Sequence, residues 1–332
     1  MSSIVVVGAG VTGMVTAIEC ARVGHRVTLL DRGPIPNPAS TSADQHRALR
    51  VLRPGDPVMT AQFASARTCW LELESLLGER FFRQVGIVTA WPRNEVGALT
   101  VVEPEKLPHI RFPHDTVGVL DADAGVLLAD RFLDAAARWL SRRPNVTVRP
   151  ECSVKFVAEH WVSLVDGTAL GADVVVVAAG PWSRELVDIP VKLYRQTMVY
   201  LRPPADLAAW WEHAPGAGGL GADCRAWLLP PGDGTLLKIS SDLVCRDVDS
   251  TAGGEPGPWV DRLLAEPILS EMDRYQVVAV RECHYATDPG TGGPLLHHFG
   301  PGLWVRPACG GSGFAAAPLV ARTIVEAMEA TA

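Results

Sequence analysis

A strand, a glycine turn, a helix, a second strand and an acid follow one another in SIVVVGAGVTGMVTAIECARVGHRVTLLDR, residues 3–32. No other stretch limits the possible folds as tightly. Ile4 to Val7 form an unbroken apolar run, the pattern of a parallel strand buried on both faces. Gly8, Gly10 and Gly13 then give G-x-G-x-x-G, with Val11 and Thr12 inside the motif. Gly8 permits the tight turn, Gly10 lets backbone approach a pyrophosphate, and Gly13 lets the following helix pack on the strand. That helix is expected over 14–23, with its N-terminal N–H groups facing phosphates. Gly24 ends it, and HRVTLLD reads as the second strand. Asp31 stands 18 positions after Gly13, placed to accept a hydrogen bond from a ribose hydroxyl. The motif in this setting predicts a dinucleotide site, without separating NAD from FAD.

The 332 residues suffice for two lobes, and 48% hydrophobic with 20% charged residues is an ordinary globular balance. A net charge of -7 argues against nucleic acid, which is met by a basic stripe. No charge-free apolar run reaches spanning length, so no membrane helix is expected. MSSIVVVGAG runs straight into the glycine motif and reads as a strand, not a signal peptide. Seven cysteines without disulfide or C-x-x-C spacing suggest reduced thiols and a cytoplasmic protein. Lysine is scarce: Lys106, Lys155, Lys192 and Lys238 are the whole set.

Farther along, LLADRFLDAAARWLSRRPNVTVRP reads as a helix and a strand, and SVKFV with WVSLVDGTAL as a hairpin turning at Asp166-Gly167. ADVVVVAAGPWSREL is a buried strand ending in Ala-Ala-Gly, with a helix start at Pro181-Trp182. LWVRPACGGSGFAAAPLVARTIVEAM is a strand, a glycine-rich turn and a final helix. Three such turns would cluster at one edge of a parallel sheet and receive an extended cofactor.

VVVGAGVTG with Asp31, DVVVVAAGPWSREL and CGGSGFAAAPLVARTIVE occur in this order over nearly the whole chain. Together they resemble the D-amino-acid-oxidase-like FAD-dependent oxidoreductases, in the sarcosine oxidase and glycine oxidase branch. The resemblance implies FAD and an α/β plus antiparallel β architecture. A Rossmann-like FAD-binding domain of the glutathione-reductase type would comprise 1–82, 118–190 and 278–332. A discontinuous antiparallel-sheet substrate domain would take 83–117 and 191–277. RQVGIVTAW, LYRQTMVYLRPP and RAWLLPPGDGTLLKISSD fit strands of the second domain, the last with a hairpin turn at Gly232-Asp233-Gly234. Cofactor contacts are implied at the three motif glycines, Val11, Thr12, Asp31 and Arg32. Others are implied at Arg47 and Val154, at Ala179, Gly180 and Trp182 after the second turn, and at Gly310, Gly311, Ser312, Gly313 and Phe314 after the third.

The same resemblance assigns chemistry. CHYATDP is similar to the segment of the sarcosine-oxidase branch whose cysteine joins the flavin, so Cys283 is a candidate for covalent attachment; the alternative is a small buried hydrophobe. Arg47, Arg50 and Arg53 lie at a spacing of three, which on a helix gives adjacent faces. Arg47 and Arg50 match arginines near the flavin, and Arg50 would grip a substrate carboxylate, which a guanidinium fork suits. Lys238, on an apolar strand, matches a lysine that promotes oxygen reduction; a fixed cation stabilises the anion formed there. The alternative for each is a solvated surface position.

Departures are equally informative. Asp242 stands where sarcosine oxidase has a histidine, and Ala315 where it has a second carboxylate-gripping lysine. The arginines of glycine oxidase are absent at the positions aligned with Tyr285 and near Ser312. Arg53 or Arg225 would meet a second anionic group on the substrate. His284 is a candidate pocket residue, whereas His46 and His297-His298 lack metal-ligand spacing, and no metal is expected. Trp210, Trp211 and Trp227 fit the second domain's core or its pocket wall. The expected activity is oxidation of a secondary amine or amino acid, bulkier than sarcosine or glycine, by O2. The partners are then a small amine or amino acid and O2, in a monomer or small homo-oligomer. A dehydrogenase of amines or 2-hydroxy acids and a non-catalytic flavin binder are the rival readings.

Overall fold

A computed structural model describes residues 1–330. One lobe is built on a six-stranded sheet, in the order Leu295–His298, Leu303–Ala308, Val174–Val177, Ser3–Val7, Arg26–Leu30, Val146–Arg149. All neighbours are parallel except Leu295–His298, which closes one edge antiparallel. Side chains alternate across each strand. Ile4, Val6, Leu29, Val174 and Val176 face helices Val11–Arg22, Pro57–Leu77, Ala129–Ser141 and Gly313–Ala330. Val5, Val7, Leu30, Val175 and Val177 face a three-stranded sheet of 154–171. Both faces are covered, which is why the first strand carries no polar alternation.

Trp70, Phe81, Phe132 and Phe314 lock the helical face. Trp70 stacks on Phe314 at 5.5 Å and donates from Nε1 to Ala315 O at 2.9 Å. This fixes the start of the final helix and with it the third glycine turn.

The second lobe carries a nine-stranded, mostly antiparallel sheet. Its spine is the long strand Lys192–Arg202, paired antiparallel with Gln276–Thr287, Leu237–Ser241 and Cys245–Asp247. Ala226–Leu229, Gly216–Leu220, Ile87–Pro92, Thr116–Asp121 and Val101–Val102 complete it. Trp211 and Tyr275 anchor its core, with Trp211 Nε1 donating to Tyr275 Oη at 3.0 Å.

Three expectations need correction. Thr116–Asp121 and Gln276–Thr287 belong wholly to the second sheet. Sheet membership therefore carries the second lobe past the boundaries expected at 118 and 278. Asp166-Gly167 turns between Trp161–Leu164 and Ala169–Gly171, while the preceding hairpin turns at Glu159-His160. The segment is a meander, because WVSLVDGTAL itself holds two strands. Finally, the arginine triplet is not helical. Arg47–Leu49 is a strand paired with Gly125–Leu127, and Val51 N and Leu52 N both donate to Asp121 Oδ2 at 2.7 Å. Those tertiary bonds hold the backbone extended.

The glycine motif yields a stability test. A Cβ at Gly13 would lie 1.8 Å from Gly8 O, whereas one at Gly10 would meet only the movable Ser42 Oγ at 3.0 Å. Gly13→Ala is expected to cost at least about 1–3 kcal/mol through overpacking, and Gly10→Ala distinctly less. Urea midpoints check this; equal midpoints would show that the helix shifts without penalty.

Candidate functional site

A cavity of about 980 Å³ opens between the C-terminal ends of the parallel strands and the second sheet. All three turns reach it, since Ser3–Val7, Val174–Val177 and Leu303–Ala308 are neighbours in one sheet. Every site residue expected from the sequence lines this cavity except Gly13, whose part is the close helix packing described above.

At one end the wall is backbone and glycine. Gly8 has φ +100°, and a Cβ there would meet Ala178 O at 2.6 Å, so the first turn lies directly on the second. Helix Val11–Arg22 starts without a side-chain cap on Gly10, and Val11 N donates to Ser42 Oγ at 2.9 Å. Asp31 is buried and accepts from Ala9 N, Gly33 N and Asn37 Nδ2 at 2.8–2.9 Å. It therefore ties down the glycine turn, and about one of its four acceptor positions stays open for a hydroxyl. Arg32 lies over the Trp182 ring at 4.4 Å, beside the 3-10 helix Gly180–Glu185. Gly310 and Gly311 have positive φ, which lets the third turn fold back before helix Gly313–Ala330.

Cations are concentrated along the wall: Arg32, Arg47, Arg50, Arg53, Arg225, Lys238 and Arg306. Arg306 escaped the sequence reading. It is buried, and among the described residues its side chain has no hydrogen-bond or ion-pair partner; burial pushes its guanidinium below the usual value. A charge inside the apolar run LWVRPA was the available signal.

The other end is lined by the second sheet. Arg50 opens onto the cavity above Gly218, and among the described residues its side chain has no hydrogen bond or ion pair. Burial lowers its pKa, while Asp242 and Asp121 oppose that shift. Arg53 lies over the Phe63 ring at 4.6 Å, and burial followed by repulsion from Arg50 lowers it to about 10. Asp242 opens onto the same space; burial raises its carboxyl, against the pull of Arg225 and Arg50. Tyr285 stacks on Tyr194 and contacts Cys245 Sγ at 3.2 Å. His284 Nε2 accepts from Arg195 Nε at 3.0 Å; burial and Arg195 lower its pKa. Cys283 pairs in register with Gln196, and Ala315 opens the final helix.

Lys238 lies between these ends, and a second unanticipated residue holds it. Its Nζ donates to Asp44 Oδ2 at 2.5 Å and to His46 O at 3.1 Å. Asp44 also pairs with Arg47 and accepts from Tyr200 Oη at 2.6 Å.

His46 lies beside this cluster with both ring nitrogens buried and, among the described residues, without a well-formed hydrogen bond; burial plus Lys238 push it down to about 3, against weaker pulls from the Pro230 and Leu229 backbone. Unfolded histidine titrates near 6.5. Between these values the unfolded chain binds the proton and the folded one does not. The stability held by neutral His46 is thus complete above about pH 6.5 and is lost as pH falls towards 3. Wild type should lose more of its urea midpoint between about pH 7 and pH 4.5 than His46→Phe does. Equal losses would show that His46 is hydrated.

Comparison with known proteins agrees with this geometry. The model of a family described as FAD dependent oxidoreductase matches residues 3–327. Peroxisomal sarcosine oxidase of Mus musculus is 25% identical over 239 residues, covering 65% of this chain but only 59% of the mouse protein. Glycine oxidase of Pseudomonas putida is 26% identical over 358 aligned positions, covering 92% of this chain and 88% of that protein. Among solved structures, fructosyl amine: oxygen oxidoreductase (Amadoriase I) from Aspergillus fumigatus superposes with TM-score 0.79 at 21% identity, covering 99% and 86% of the two chains. NikD, an unusual amino acid oxidase essential for nikkomycin biosynthesis, gives 0.78 at 18%, covering 97% and 93%. These last likenesses are of fold.

Proposed function

The chain belongs to the FAD-dependent oxidoreductase family, and on that premise we propose that it is an oxidase of carboxylate-bearing secondary amines bulkier than sarcosine or glycine. The observation that carries this is one cavity receiving the glycine turns, the unpartnered Arg50 and the cation Lys238 together. The residues present suit FAD. The cradle at Gly8, the helix start after Gly10 with only the Ser42 hydroxyl on Val11 N, and the nearby arginines match a pyrophosphate. FAD, when bound, supplies the two-electron acceptor for the amine.

The chain's own residues orient and polarise. Arg50 holds the substrate carboxylate by a bidentate fork. The missing lysine at Ala315 leaves room for an N-substituent, and Tyr285 in place of an arginine removes a second carboxylate clamp. Lys238 and Arg47 provide fixed positive charge where O2 becomes an anion. The amine's C–H and N–H hydrogens leave with two electrons, which reduce O2 to H2O2. The resulting imine takes up water and splits; an N-carboxymethyl amine would release glyoxylate and a shortened amine.

Anaerobic mixing with primary, N-methyl, N-carboxymethyl and cyclic amino acids tests the substrate class. Bleaching of the yellow colour by bulky secondary amines is expected; bleaching by 2-hydroxy acids alone would overturn the reading. Cys283 makes a separate expectation, since it lines the cavity. Acid-precipitated protein should stay yellow, and Cys283→Ala should release its colour into the supernatant. A colourless wild-type precipitate would return Cys283 to packing.

A further inference from the structure

Lys238 is only 1% exposed, yet it is an amine on a cavity wall. Asp44 is equally enclosed, does not line the cavity, and touches both wall cations, Lys238 and Arg47. Its place is over-determined. Tyr200 Oη donates to Oδ1, Lys238 to Oδ2, and the Asp44 backbone N donates to Asp130 Oδ1 at 2.8 Å. Arg47 is held in turn by Thr41 O at 2.5 Å. Two cations sharing one carboxylate leave a net single positive charge on the wall.

We infer that Asp44 is a positioning residue that keeps Lys238 protonated and fixed against the cavity, and so sets the rate at which the reduced enzyme meets O2. The second half rests on the oxidase reading; the first does not. Burial, then Arg47 and Arg281, push Lys238 well below the usual lysine value, while Cys283 and Asp130 pull the other way. Asp44 is the carboxylate in direct contact with Nζ, so its charge opposes the discharge. Among the described residues, the other hydrogen-bond partner of Nζ is the neutral carbonyl of His46. Tyr200 is pushed up to about 12 by burial and stays a neutral donor. His46 is pushed down to about 3 and stays neutral as well. An uncompensated buried amine would neutralise itself.

The sequence makes this measurable, because it holds only the four lysines 106, 155, 192 and 238. Lysine labelled at Cε and Nζ gives four NMR resonances, and the one missing from Lys238→Met is Lys238. In wild type it should report an ammonium group at about pH 7.5, and in Asp44→Asn a neutral amine, with Asp44→Glu restoring the charge. Chemically reduced holoenzyme of Asp44→Asn should then react with O2 at least about tenfold more slowly at that pH, recovering as pH is lowered. A neutral Lys238 in wild type overturns the inference without any variant needing to fold, as does an unshifted titration in Asp44→Asn. If the titration shifts but reoxidation does not, the charge coupling stands and the oxygen role fails.

Discussion

Lys238→Met should slow reoxidation of the reduced enzyme by O2 by about 10²- to 10³-fold, while anaerobic reduction by the amine changes only by a small factor. The split follows from position. Lys238 is buried and held by Asp44 and His46 O, so it is not free to swing onto a substrate carboxylate. It contributes a fixed charge, and a fixed charge matters most where the reacting species gains one. Methionine fills a similar volume and carries no charge, so packing around Tyr200 and Trp227, whose rings lie 5.7 Å from Nζ, is largely kept. Stopped-flow mixing of photoreduced enzyme with O2 reads the rate directly. An unchanged rate would remove Lys238 from the oxygen reaction.

Arg50→Met should reduce kcat/KM for a carboxylate-bearing amine by about 10- to 150-fold, the 1.5–3 kcal/mol of a charge-assisted hydrogen bond. The matching substrate carboxamide should lose much less. Among the described residues Arg50 has no partner to be orphaned, so its removal costs little stability and the effect falls on binding. Arg50→Lys should lie between, since an ammonium keeps charge but not the fork. Equal losses on acid and amide would show that Arg50 acts on the cavity as a whole and does not grip the carboxylate.

These expectations rest on residues with unequal visibility in the sequence. The three glycine turns were legible because their causes are local: a tight turn, a close approach, and an apolar run buried on both faces. Their adjacency followed from the parallel order of the strands, and Asp31 and Trp182 came with them. The arginine triplet was legible as chemistry but not as geometry. Its spacing of three suggests helical faces, yet Asp121 and strand Gly125–Leu127 hold it extended from about seventy residues away along the chain. Asp44 was not legible at all, since its meaning comes from Lys238, 194 positions later. Arg306 and His46 were hidden likewise; a lone charge or imidazole shows its partners, or their absence, only once the chain is folded. The two boundaries moved because Thr116–Asp121 and Gln276–Thr287 join the second sheet by long-range pairing that no local pattern encodes.

If one cavity couples amine oxidation to O2, both half-reactions share one stoichiometry. Simultaneous measurement of O2 uptake and H2O2 release during turnover of a bulky N-carboxymethyl amine tests it most directly. One H2O2 is expected for each O2 consumed and each glyoxylate released. Enzyme that stays reduced in air and turns over only with a quinone or protein acceptor would contradict it.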